Sequence, residues 1–125
     1  MTLSSRAMAE CGAAHSDTED IVNEPLRIGP VLVSVLLVES GDGLIRTSFR
    51  SKPPFAPRHG GPSPPHEDEQ GTAGQSHRAF GDIDVSIVAQ AFGGGGHKRA
   101  AAARITGSLT DVRRAVLRHL EAELR

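Results

Sequence analysis

Residues 53–81 divide the chain into two short blocks that have to build one core between them. Six of the eight prolines and five glycines fall there, so Pro and Gly make up 11 of its 29 residues. That share exceeds the roughly 25–30% at which aperiodic sequence is usually low-complexity. Apart from Phe55 and Phe80 the stretch offers no large apolar side chain, which predicts a disordered insertion. Its histidines, His59, His66 and His77, follow at spacings of 7 and 11, which match no usual metal-ligand motif and fit a solvated linker. With residues 1–15 expected to be a disordered N-terminus, about eighty residues remain to fold, and a domain of that size buries only ~60% of its chain surface. The 125-residue chain has four Phe and no Trp or Tyr, so Val, Ile, Leu and Ala must supply the core. A partner domain, a homodimer or both are expected to complete it.

The single cysteine, Cys11, rules out an internal disulfide and offers no cysteine cluster to a metal. No apolar run approaches the ~18 residues of a membrane span. The opening residues Met1 to Arg6 lack the apolar stretch of a secretory signal. These patterns predict a soluble cytoplasmic protein with no membrane partner. The net charge of −1 conceals a gradient, from −3 over residues 1–30, through −1 over 31–82, to +3 over 83–125. The basic third also holds the longest glycine run, a mild electrostatic pointer towards anions.

Either side of the insertion the pattern predicts order. Ser16-Asp17-Thr18-Glu19 fits a capping box with Ser16 as N-cap, so 16–30 is expected to be a hinge with a short linker helix ending near Pro25. Val31 to Val38 is apolar and β-branched almost throughout, as in a strand buried on both faces. Gly41-Asp42-Gly43 supplies a turn, and Leu44 to Arg50 a second strand. Asp84 caps a helix over Val85–Phe92, with Ile87, Val88 and Ala91 on one face and Gly93 ending it in the left-handed conformation. Ala100–Thr106 is a strand of small residues. A last helix, capped by Ser108 or Thr110, runs to about Leu124, with Val112, Val116, Leu120 and Leu124 as an apolar stripe beside Leu117. The expected fold is a small α/β (α+β) unit over 31–125, with a mixed sheet in the order β-β-(insertion)-α-β-α.

Two motifs carry chemistry. In Phe92-Gly93-Gly94-Gly95-Gly96-His97-Lys98-Arg99, four glycines precede a histidine and two cations. The run departs from the P-loop, since Lys98 follows histidine and no Ser or Thr comes next, and from the Rossmann fingerprint, since it follows a helix. It reads either as a helix C-cap with a loose loop or as bare backbone that lets a phosphate approach, with His97 placed to donate to it. The other is Ser48-Phe49-Arg50-Ser51-Lys52, where alternation puts Ser48, Arg50 and Lys52 on one face. An arginine between serines suits phosphate or carboxylate, and equally suits an exposed strand edge kept soluble by charge.

Together these motifs resemble the C-terminal, DHH-associated substrate-binding domain of DHH-family phosphoesterases, nearest to bacterial nanoRNase (oligoribonuclease) and 3′-phosphoadenosine-5′-phosphate (pAp) phosphatase enzymes. The resemblance covers roughly 16–52 and 82–125; residues 53–81 have no counterpart. It implies a domain that clamps a short RNA or a nucleotide phosphate against a separate catalytic domain. That catalytic domain holds two manganese ions through Asp and His, including an Asp-His-His triplet. Carried across residue by residue, Gly93, Gly94, Gly95, Gly96 and His97 line the substrate cleft and Arg50 recognises phosphate. Ser48, Ser51 and Lys98 assist, and Lys98 and Arg99 alternatively stay solvated. Ala102 stands where the motif has glycine, and a positive φ there would be strained.

No Asp-His-His occurs in this sequence, so no catalytic residue and no metal ligand is assigned, and hydrolysis by this chain alone is not expected. Manganese belongs to the missing catalytic domain. The expected function is nucleotide recognition by a truncated or split phosphoesterase. A stand-alone module for single-stranded nucleic acid is the alternative, favoured by the basic C-terminal third and disfavoured by the shortage of aromatic platforms. A non-functional remnant is a further alternative.

Overall fold

The computed structural model describes residues 1–53 and 82–124, so beyond Pro53 the expected insertion lies outside the described residues. In chain order the elements are β1 (Thr2–Leu3), α1 (Ser5–Cys11), two 3₁₀ segments (His15–Thr18 and Ile21–Arg27), β2 (Val33–Glu39), β3 (Leu44–Ser51), α2 (Val85–Ala91), β4 (Gly95–His97), β5 (Ala100–Thr106) and α3 (Leu109–Leu124). The strands form one mixed sheet, ordered β1-β2-β3-β5-β4. β1 runs parallel to β2, and the other pairings are antiparallel.

The sheet buries its two faces unequally. On one face α2 and α3 cover Leu37, Ile45, Phe49, Ala101 and Ala103 with Val85, Val88, Ala89, Val112, Val116 and Leu120. On the other, Leu36 and Val38 pack with Val22 of the second 3₁₀ segment and with Leu3 and Met8. β2 is therefore buried on both sides, as its continuous apolar run predicts. On that side the smaller apolar cluster stops at β2, although the second 3₁₀ segment also meets β3.

Several elements differ from expectation. Residues 1–15 carry β1 and α1 in place of a disordered terminus, because Ser4 Oγ accepts from Ala7 N (3.1 Å), Gly12 closes the helix at φ 63°, and Leu3 and Met8 join the smaller core. The linker helix over 16–30 is replaced by the two 3₁₀ segments. Ser16 does not cap; Asp17 Oδ2 accepts from Ala14 N (2.8 Å), and Thr18 Oγ1 donates to the His15 carbonyl (2.6 Å), local bonds that compete with a longer helix. α2 buries Val85, Val88 and Ala89, while Ile87 stays 43% exposed, since the 85/88/89 stripe matches the helical period better than the expected face. On α3, Ser108 Oγ accepts from Asp111 N (3.2 Å), and Leu117 and Leu124 lie outside the buried stripe. Among the described residues no helix is long and apolar enough to cross a membrane.

β4 is the element that the glycine run hides. Gly93 N donates to the Gln90 carbonyl (3.0 Å) and Gly94 N to Ala89 (2.9 Å), and Gly93 takes φ 76°, a Schellman end to α2. The chain then pairs along β5. A Cβ on Gly94 would lie 2.7 Å from Ala103 Cα and closer still to the Ala102 carbonyl oxygen, and one on Gly96 would lie 2.6 Å from Ala101 Cα. Gly95 has open space around its Cβ position and no positive φ. Gly94→Ala and Gly96→Ala should each destabilise the fold by about 1–3 kcal/mol through overpacking. Gly95→Ala should stay within about 0.5 kcal/mol. Thermal unfolding followed by circular dichroism checks the contrast, and an equal loss at all three positions would contradict the β4–β5 packing.

Candidate functional site

Strand parity sorts the candidate residues. Register sets Ser48 beside Ala102 and Ala102 beside Gly95; Arg50 beside Ala100 and Ala100 beside His97; and Arg46 beside Arg104. All these positions belong to the face away from α2 and α3. Three rows result, spaced roughly 6.6 Å apart along the strands. The middle row, Ser48–Ala102–Gly95, is a floor of small groups. A pair of arginines lies to one side of it, and an arginine and a histidine to the other. No carboxylate occupies any register position on this part of the face.

A cleft of about 400 Å³ opens over the Arg46–Arg104 row and the Ser48–Ala102 part of the middle row, lined by Arg46, Thr47, Ser48, Gly93, Gly94, Ala102, Ala103 and Arg104. Arg46 and Arg104 are exposed and make no ion pair among the described residues. Like charges directly opposite on neighbouring strands repel. Arg50 is half-buried, and its Nη1 donates to the Phe49 carbonyl (2.9 Å). His97 is exposed.

The expected site residues therefore separate. Ser48, Gly93 and Gly94 line the cleft; Arg50, Gly95 and His97 share its face without lining it. Ser51 points the other way, is 4% exposed, and donates through Oγ to the Lys98 carbonyl (3.2 Å). Gly96, opposite Ala101, also belongs to the helix-covered side. Lys98 is engaged by Asp82, Nζ to Oδ2 at 2.6 Å. Ala102 sits in extended pairing within β5, so no positive φ arises there. Arg46 and Arg104 are absent from the expected set, although two strand steps of two residues back from Arg50 reach Arg46, and two on from Ala100 reach Arg104.

Arg99 anchors the β4–β5 turn. Its guanidinium pairs with Asp82 Oδ1 and donates through Nη1 to the carbonyls of Lys52 (3.1 Å) and Ile83 (3.4 Å). Backbone bonds from Ser51 N to Arg99 O and from Val85 N to Lys98 O, both 3.0 Å, bind the same turn to β3 and α2. Hydrogen bonds from Lys98 and Arg99 hold the Asp82 carboxyl below its ordinary pKa. Among the described residues no three His, Cys, Asp or Glu side chains gather as a metal-ligand set.

No family profile matches the sequence, and no curated protein does. Among solved structures, the chain is similar to an exopolyphosphatase-related protein from Bacteroides fragilis, with a TM-score of 0.70 and 21% identity, covering 97% of this chain and 27% of that one. A pGpG-specific phosphodiesterase, PggH, from Vibrio cholerae aligns over 73% of this chain and 24% of its own at TM-score 0.43 and 15% identity, too distant to support an argument. The first likeness establishes a shared fold. This chain spans about a quarter of that protein's length.

The Asp82 clasp has a pH signature. The folded pKa lies below the unfolded one, so the stabilisation is fully present above about pH 4 and is lost as pH falls through the depressed folded value. Asp82→Asn should lower the melting temperature at neutral pH, with wild type and variant converging on acidification. A melting difference that stays constant from pH 6 to pH 2 would contradict the clasp.

Proposed function

We propose that the chain is a phosphoesterase-associated, substrate-binding domain of the DHH-associated kind, which recognises the phosphate-bearing end of a short oligoribonucleotide or a mononucleotide such as pAp. The observation that carries this is the open face of β3, β5 and β4, where Arg46, Arg50, His97 and Arg104 surround a floor of Ser48, Ala102 and Gly95 with no carboxylate among the register positions. Guanidinium groups bind phosphate through paired, charge-assisted hydrogen bonds. Small floor residues leave room for a sugar and base to lie close to the sheet. Arg50 and His97 serve the phosphate, and Ser48 and the Gly95 backbone adjoin the nucleoside. Ser51, Gly96 and Lys98 have structural duties and are left out of the ligand's reach. The shared fold with part of an exopolyphosphatase-related protein supports the assignment to a phosphoesterase. Hydrolysis belongs to a separate catalytic domain.

A general single-strand binder needs aromatic platforms. Phe49 is fully buried on the helix side, and Phe92 packs edge-on against His119 with centroids 4.8 Å apart. Neither is available on the open face, so among the described residues phosphate recognition is favoured over base stacking. Titration calorimetry on the full 125-residue chain should show AMP binding where adenosine does not. Arg50→Ala should weaken AMP by roughly tenfold, the loss of a charge-assisted bond. Equal binding of adenosine and AMP, or no binding of either, would overturn the proposal.

A further inference from the structure

We infer that the chain associates with copies of itself head to tail, the outer side of α3 in one copy receiving the acidic 3₁₀ segment Ile21–Arg27 of the next. Two surfaces on opposite sides of the sheet carry this, and nucleotide binding on the open face is not required for it. Val112, Val116 and Leu120 turn one stripe of α3 towards the core. Thr110, Arg113, Arg114, Leu117 and Leu124 recur at helical spacing as a second, exposed stripe. The first four of these line a groove of about 240 Å³. Neither arginine makes an ion pair among the described residues. Glu121 lies on the same side, one turn beyond Leu117.

Across the sheet, Val22 anchors the second 3₁₀ segment against Leu36 and Val38. That leaves Ile21 38% and Ile28 57% exposed, beside exposed Glu19, Asp20 and Glu24. From Asp17 to Ile28 four acids meet a single cation, Arg27, which is engaged by Glu24 at 3.2 Å. Glu19 and Asp20 have no ion-pair partner among the described residues. Of the six large apolar residues exposed among the described ones, Ile21, Ile28, Leu117 and Leu124 fall on these two surfaces. Each surface thus joins apolar side chains to unpaired charge of one sign, and the two signs are opposite. Pairing either surface with its own copy sets like charges together, whereas pairing one with the other matches them. Because the matched surfaces differ, the contact is heterologous and repeats as a ring or a chain. The 16-residue α3 is roughly 24 Å long, and the seven-residue 3₁₀ segment, roughly 14 Å long, fits along it. A contact of that length stands at the low end of specific interfaces, so the association is weak and sensitive to salt.

Sedimentation velocity on the full 125-residue chain tests this. At about 0.05 M salt the weight-average mass should rise with protein concentration, and at about 0.5 M salt it should return to the 13.2 kDa of one chain. Arg113→Glu/Arg114→Glu and Glu19→Lys/Asp20→Lys should each stay monomeric alone, and mixing the two should restore association, because their surfaces are again complementary. Leu117→Ser alters no charge and should weaken association roughly tenfold, the loss of one buried leucine. Thermal melts check that each variant is folded; if a charge-reversed pair does not fold, Leu117→Ser and the salt response decide. A mass independent of concentration at low salt overturns the inference. So does association that survives either charge reversal or Leu117→Ser, or a mixture of the reversed variants that stays monomeric.

Discussion

Strands β4 and β5 lie so close that Gly94 and Gly96 leave no room for a Cβ between them and the Ala100–Ala103 backbone, and the open face depends on that approach. β4 carries almost no side-chain bulk, and β5 offers only alanines opposite it, so the outer half of the sheet is floored by backbone and methyl groups. The same alternation places Ala101 and Ala103 under α2 and α3, where small side chains let helices and sheet approach. A bulky residue at either glycine would push β4 outward, detaching the floor from its edge and the end of α2 from the sheet. The glycine run therefore acts first on packing, and through packing on the space available to a ligand.

Cations in the glycine–histidine segment divide by the partners they have. Lys98 and Arg99 both meet Asp82, and Arg99 also bonds the carbonyls of Lys52 and Ile83. This joins the end of β3, the approach to α2 and the β4–β5 turn at one point, which keeps His97 on the same row as Arg50. A charge already satisfied by a carboxylate contributes little to an external anion. The charges free to act on a ligand are those on the opposite side of the strands, where the register supplies no acid.

Much of this was legible in the sequence, with limits set by which physical signal each residue carries. The β2 apolar run, the Gly41–Gly43 turn, β5 from Ala100 to Thr106 and the Asp84 cap each follow from local pattern, and local pattern survives folding. β4 was not legible, because glycine carries no strand propensity and the pairing that makes it a strand is supplied by β5. β1 and α1 depend on contacts from Leu3 and Met8 to residues about thirty positions away. At the site, Ser48 and Arg50 followed from alternation, and Ser51 had the wrong parity to join them. Arg104 could be placed beside Arg46 only once the antiparallel register was known, since no short-range motif links positions 58 residues apart in the chain.

In the proposed role, that register would favour a phosphate over a base. Base recognition calls for flat rings, and the described phenylalanines are committed elsewhere, Phe49 to the core and Phe92 to His119. What the sheet surface presents instead is donor groups at its ends and little in its middle. On the proposed reading charge would attract the ligand, and the small size of the Ser48–Ala102–Gly95 row would decide how near it can come. The two properties arise on the same three strands, so under the proposed function a substitution that fills the floor would weaken binding as surely as one that removes a guanidinium, while leaving the charge of the face untouched.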